Sequence, residues 1–92
     1  MSGSRRYRVE LAPAARRQLR RLDQKVARRV LIALDGLQAD PRPPGCRAMA
    51  GQAGRWRIRP AGAGDCRVVY EIRDDVLLVL VVTIAHRREV YR

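Results

Sequence analysis

Arg57, Arg59 and Arg67, followed downstream by His86, Arg87, Arg88, Glu89 and Tyr91, are the residues whose types and spacing suit chemistry on a charged substrate. A guanidinium group is planar, always charged and able to grip a phosphate through two parallel hydrogen bonds. The sequence has no Cys/His cluster at metal-ligand spacing, no Gly-rich phosphate loop ahead of a helix and no acidic pair suited to two magnesium ions. Redox, kinase and two-metal nuclease chemistry are therefore not expected, and neither is a metal or a cofactor. The set does suit metal-free RNA cleavage, where the ribose 2′-OH is an internal nucleophile already beside the phosphate. The protein then has only to orient it, move protons and stabilise charge. Arginine keeps its proton and is no ordinary general base. Tyr91 is the first choice for that role, because nearby guanidinium groups lower a phenol from its usual pKa of about 10. His86 is the alternative, since an unperturbed imidazole titrates near neutral pH. Glu71 and Glu89 are expected to pair with arginines, and Trp56 to belong to the core.

Such groups need a rigid surface, and the stretch 55–73, RWRIRPAGAGDCRVVYEIR, supplies one by alternating basic and apolar residues with the period of a β-strand. Trp56 and Ile58 oppose Arg55, Arg57 and Arg59; Cys66, Val68, Tyr70 and Ile72 oppose Arg67, Val69, Glu71 and Arg73. The intervening PAGAGD has turn chemistry, so the spacing predicts a hairpin with one core face and one cationic face. Upstream, residues 7–11 alternate as a short first strand, and Pro13 starts a helix of about residues 13–21. Asp23 caps a second helix whose apolar stripe is Val26, Val30, Leu34 and Leu37, ended by Asp40-Pro41 and Pro43-Pro44-Gly45. Downstream, Asp74-Asp75 turns the chain into a continuous aliphatic strand over residues 76–85. Its bulkier set (Val76, Leu78, Leu80, Val82, Ile84) is expected to face the helices, and Leu77, Val79, Val81, Thr83 and Ala85 the open side. The order β-α-α-β-β-β predicts an α+β fold: a helical hairpin on one face of a mainly antiparallel four-stranded sheet, with a basic surface on the other. Where the first strand docks is left open.

The 92 residues are expected to form one domain (1–92, with 1–6 disordered). A formal charge of +11 attracts polyanions, and all but Lys25 of the 20 Lys and Arg residues are arginine. A GC-rich coding sequence would raise arginine over lysine by itself, but arginine also brings the fork that suits phosphate. The first helix exposes Arg16, Arg17, Arg20 and Arg21, whose like-charged i,i+4 pairs cost about 0.2–0.5 kcal/mol each. Arg16 and Arg20 are thus expected phosphate contacts, together with Arg55, Arg73 and Arg88. No leader is read in residues 1–8, and 76–85 is too short to span a bilayer, so no membrane partner and a cytoplasmic location are expected. Cys46 and Cys66 fit neither a metal site nor a disulfide framework.

RWRIRPAGAGDCRVVYEI, then VLVVTIAHRREVYR, after YRVELAPAARRQLRRLD and a DPRPPG loop, resemble the RelE branch of the RelE/ParE toxin superfamily over residues 7–92. The resemblance implies a RelE-like microbial RNase fold. It also implies a bacterial type II toxin, a metal-independent endoribonuclease that cuts mRNA in the decoding site of the 70S ribosome and so blocks translation. A RelB-like antitoxin would neutralise it, and operator DNA would be a partner only through the antitoxin complex. Carried over by position, Arg57 and Arg59 match the paired basic residues beside the scissile phosphate, and Arg67 the phosphate-binding arginine. Arg87 matches the residue proposed as proton donor and Tyr91 that proposed as base. Arg stands where members have Lys at positions 57 and 59, which keeps the charge and changes the geometry. Two other readings remain: the ParE-like branch, described as gyrase poisons, and a non-catalytic basic module acting with its antitoxin on DNA. The Arg/Tyr set favours the nuclease, because a gyrase poison needs no phosphate site with a terminal tyrosine.

The excess positive charge predicts binding to an acidic, partly disordered antitoxin segment that tightens as salt falls. Titrating the protein encoded by the neighbouring reading frame at two ionic strengths checks this, and absence of binding at both would remove the antitoxin from the scheme.

Overall fold

The computed structural model describes residues 6–86. Strand β1 (Arg8–Leu11) opens it, and the chain turns at Ala12 into helix α1 (Pro13–Arg21), whose first position is the proline. Proline lacks the N–H that would go unpaired there, which is why it starts the helix so readily. Leu22 is extended and ends α1, and the Asp23 carboxylate accepts from the Lys25 N–H at 3.1 Å to begin helix α2 (Gln24–Leu37). With only Leu22 and Asp23 between them, the helices form a tight hairpin. Ala15 of α1 and Val30, Leu34 and Leu37 of α2 are buried, the last three on the predicted stripe.

The sheet has five strands in the order β1-β5-β4-β3-β2: β2 (Arg47–Ala48), β3 (Arg55–Ile58), β4 (Arg67–Arg73) and β5 (Leu78–Ala85) complete it. β1 lies parallel to β5, from Arg8↔Leu78 to Leu11↔Val81, and every other pairing is antiparallel. The helices cover one face, where Val68, Tyr70, Val79, Val81 and Ile84 are fully shielded from water. Each such large apolar side chain contributes about 1.5–3 kcal/mol on burial. The α+β class and the helical hairpin agree with expectation.

Three expectations are corrected. The sheet has a fifth strand, because the segment between the prolines and Arg55 folds back as β2, pairing Arg47↔Arg57 and Ala48↔Trp56. The last strand begins at Leu78, not Val76: Asp74–Val76 is a 3-10 turn, Leu77 takes a left-handed conformation (φ 52°) and Val76 is 57% exposed. The facing of β5 is inverted over its first half. Val69 pairs with Thr83 but Tyr70 with Val81, so Val82 is an extra residue and the parity changes there. A bulge of this kind switches which face later residues reach. Hence Val79 and Val81 ahead of it, and Ile84 beyond it, all face the helices, whereas Leu78, Leu80, Thr83 and Ala85 share the other face with Arg73, Glu71, Val69 and Arg67. At the start of the described chain Arg6 donates to the Gln38 side chain at 2.9 Å; residues 1–5 lie outside the described residues.

Polar links hold the loops to this frame. The buried Tyr70 hydroxyl donates to the Pro41 carbonyl at 2.8 Å, and burial pushes its phenol well above the ordinary range. The Ile84 N–H, past the end of β1, donates to Gln18 Oε1 at 2.7 Å, so α1 satisfies a strand donor that β1 is too short to reach. The Tyr7 hydroxyl donates to Asp74 at 2.6 Å, while Arg42 forks onto both Asp74 oxygens (3.3 and 2.9 Å) and lies 5.2 Å over the Trp56 ring. Arg42, then Tyr7, hold the Asp74 carboxyl below its usual range. A depressed carboxyl stabilises the fold above its unfolded pKa of about 3.9 and ceases to do so as pH falls through its folded value. Asp74→Asn is therefore expected to lower the thermal midpoint at pH 7, with the gap from wild type closing as pH falls below the unfolded carboxyl's value of about 3.9 and through the depressed folded one. Melting followed by circular dichroism across pH checks this; a gap independent of pH would show that the charge of Asp74 is irrelevant.

Candidate nucleic-acid interface

The face of the sheet turned away from the helices is built in rows by the strand register. One row runs Arg47, Arg57, Val69, Thr83 across β2, β3, β4 and β5. The next, toward the start of β4, holds Arg67 opposite Ala85, with Arg59 one residue past the last β3–β4 pair. In the other direction come Arg55, Glu71, Leu80 and Glu10, and then Arg73, Leu78 and Arg8. The alternation of β3 and β4 that hides Ile58, Val68 and Tyr70 is what delivers these arginines to the open side.

Charge is divided unequally between the rows. Glu71, its side chain 24% exposed, bridges Arg73 (3.1 Å) and Arg55 (3.2 Å), and these two guanidinium groups hold its carboxyl below the usual range, Arg73 foremost. Arg8 pairs with Glu10 at 2.7 Å. Among the described residues, no ion pair or side-chain hydrogen bond engages Arg47, Arg57, Arg59 or Arg67, all four exposed. Half of the face is thus neutralised, and the other half carries four cations with no acidic partner among the described residues. Such a cluster repels itself until an anion arrives, and a polyphosphate is its natural complement.

Of the residues expected from sequence, Arg57, Arg59 and Arg67 are brought together. Arg55 and Arg73 share the face but are engaged by Glu71, the pairing expected for that glutamate. Arg16 and Arg20 are exposed on α1, which packs on the opposite face of the sheet. His86 also turns away from the arginines, lining a hollow of about 500 Å³ on the helix side with Asp23, Asp65 and Gly64. Parity explains this: Ala85 pairs with Arg67 on the open face, so the next residue reaches the other. Arg87, Arg88 and Tyr91 lie outside the described residues. Arg47 was missed. The glycines at 51 and 54, both at positive φ, mark the turn that returns the chain to Arg55, and they were the signal for a strand before them. Among the described residues no group of three or more His, Cys, Asp or Glu is arranged to hold a metal ion, and no helix is long and apolar enough to cross a membrane.

The helical pair on one face of a mixed sheet agrees with membership of the RelE/ParE toxin superfamily. The chain belongs to the family described as ParE toxin of type II toxin-antitoxin system, whose model it matches over residues 9–91. Its fold is similar to that of a mutant E. coli toxin RelE in the free state, with a TM-score of 0.75 and 23% identity over 94% of this chain and 90% of that one. It is similar as well to the toxin-antitoxin complex RelBE2 of Mycobacterium tuberculosis (TM-score 0.74, 28% identity, 89% and 92% covered). A YoeB/ParE toxin from Agrobacterium tumefaciens shares the fold at 15% identity (TM-score 0.73, 87% and 98% covered). No curated protein matches it by sequence.

Glu71 is the residue that limits the cationic field, so Glu71→Gln is expected to tighten binding of single-stranded oligonucleotide and to steepen its salt dependence. The slope of log affinity against log salt should grow by about 0.7 for each of Arg55 and Arg73 recruited to a phosphate. Stability falls by no more than about 1 kcal/mol, since both partners are half-exposed. Fluorescence titration at several salt concentrations checks this, and an unchanged slope would mean that the two arginines stay out of reach of the strand.

Proposed function

We propose that this toxin is a ribosome-dependent endoribonuclease, a metal-independent mRNA interferase formed by residues 1–92, that cuts mRNA in the decoding site. The reading is supported above all by the four arginines without an acidic partner among the described residues, Arg47, Arg57, Arg59 and Arg67, gathered at the end of the sheet where β4 begins and β5 finishes. Guanidinium forks at a phosphate stabilise the charge that accumulates on its oxygens as the 2′-oxygen attacks. In this scheme the Tyr91 phenolate accepts the 2′-OH proton, the 2′-oxygen bonds to phosphorus, and the 5′-oxygen leaves with a proton from Arg87. The products are a 2′,3′-cyclic phosphate and a 5′-OH. His86 lies on the helix side of the sheet, which favours Tyr91 over it as the base. Arg55, Arg73 and Arg88, with Arg16 and Arg20 of the helical face, extend the contact to the rest of the RNA.

The structural relative from M. tuberculosis is a toxin-antitoxin complex, and a RelB-like antitoxin is the proposed partner here, covering the cationic face with acidic residues. Operator DNA is reached only through that complex. The second reading is a ParE-like gyrase poison, favoured by the family model that the chain matches. Induction in cells separates the two, because the nuclease stops translation with DNA intact and the gyrase poison breaks DNA.

On programmed ribosomes, Tyr91→Phe and Arg67→Ala are each expected to slow single-turnover cleavage by about 10²- to 10⁴-fold. Arg67→Lys should recover part of that loss, as it restores charge but not the bidentate grip. Thermal midpoints measured alongside exclude unfolding as the cause. Mass spectrometry of the product ends decides the chemistry: a 3′-hydroxyl end rejects attack by the neighbouring 2′-OH, and cleavage by Tyr91→Phe at the wild-type rate rejects Tyr91 as base.

A further inference from the structure

A cleft of about 810 Å³ opens beside the arginine cluster, between the last turns of α2, the proline loop and the end of β3. Its size is that of a small-ligand site, typically about 300–1,000 Å³. Ala33 and Gly36 of α2, Ile58 of β3 and Pro43 and Pro44 make apolar walls, and Arg47, Arg57 and Arg59 stand at it as well. Among the described residues no carboxylate lines it. We propose that this cleft is a nucleotide subsite. It takes the base of a single-stranded RNA residue next to the cleaved bond, while the arginines hold that residue's phosphate; the assignment of the flanking bond rests on the nuclease reading above.

The chemistry of the walls selects an anion with a flat apolar body. A base presents two apolar faces that pack on aliphatic side chains or on a guanidinium plane, and its phosphate is the anion that three neighbouring arginines match. A peptide strand fits less well. β2 covers β3 only as far as Arg57, and beyond it come just Ile58 and Arg59 before Pro60, which has no N–H to continue a ladder. Nucleic acids with an exposed base are therefore preferred to an extended protein segment.

Gly36 gives the test its handle. A Cβ built there meets nothing within 4 Å, and the residue lies in α2, where leucine is a better helix former than glycine. Gly36→Leu thus projects into the cleft while leaving the arginines and the fold in place, and Gly36→Ala is the control that adds one methyl group. Binding of 5′-AMP and of inorganic phosphate to the whole chain is measured by calorimetry, with single-turnover cleavage on programmed ribosomes in parallel. Wild type and Gly36→Ala are expected to bind 5′-AMP at least about tenfold more tightly than phosphate, the effect of burying roughly 60 Å² of apolar base surface. In Gly36→Leu that preference should vanish with phosphate affinity unchanged, and cleavage should slow about tenfold or more. Equal binding of 5′-AMP and phosphate by wild type, or an undiminished preference in Gly36→Leu, overturns the subsite. So does a Gly36→Leu variant that weakens only an acidic antitoxin peptide, which would make the cleft a protein groove. Loss of the 5′-AMP preference in a chain that cuts no RNA keeps the subsite and overturns the nuclease reading; cleavage without any such preference does the reverse.

Discussion

Strand β4 is paired on both sides, by β3 and by β5, and its alternation governs both faces of the sheet. A slip of one residue would move Val68, Tyr70 and Ile72 into water and drive Arg67, Glu71 and Arg73 under the helices. Burying even one unpaired guanidinium costs far more than a packed apolar side chain contributes. The register is therefore held from both sides at once, and the arginines are positioned by the same forces that assemble the core. A cationic surface built on a central strand is rigid in a way that a basic loop is not, which is what the proposed phosphate site requires.

The second constraint is the scarcity of carboxylates, nine against 20 cationic side chains. Where they stand decides which arginines remain available. Asp74 is committed to Arg42 and Tyr7, joining the first strand to the loop and to the turn before β5. Glu71 engages Arg55 and Arg73. Glu10 takes Arg8. These acids sit together toward one end of the sheet, so the opposite end is left cationic without any residue being dedicated to making it so. For a toxin of a toxin–antitoxin system, a surface that is unfavourable alone and relieved by an anionic partner suits both the proposed nucleic-acid target and the proposed acidic inhibitor.

The bulge at Val82 links the two halves of this arrangement. Ahead of it, β5 packs Val79 and Val81 against α1 and α2; beyond it, Ile84 does so and Ala85 stands beside Arg67. Without the extra residue, the parity at the end of β5 would be reversed, and His86 would share a face with the arginines. Bulges of this kind re-aim side chains near sites. Here the consequence is that the imidazole lines the hollow next to Asp23 and Asp65 instead. Gln18, accepting from the Ile84 N–H, holds the strand just past this point.

The chain's own residue pattern determined what depends on neighbours in sequence. The bounds of α1, the Asp23 cap of α2, the buried stripe Val30, Leu34 and Leu37, and the facing of β3 and β4 were all legible, since period and capping are local physics. So was the gathering of Arg57, Arg59 and Arg67, which follows from that facing once a hairpin closes. The tertiary structure decided the rest. An apolar run such as residues 76–85 reads the same in either parity, and only pairing with β4 shows that Val82 is the extra residue. The two-residue β2 has too little alternation of its own to be read, the turn glycines Gly51 and Gly54 being its one trace, and it is a strand only because β3 offers it an edge; with it comes Arg47. Docking of β1 beside β5 rests on pairing across more than 60 residues, and the choice of Glu71 for both Arg55 and Arg73 on a register set by contacts remote in the chain. Composition made the protein cationic, but which cations stay available for a phosphate is a matter of which carboxylate the fold places within reach.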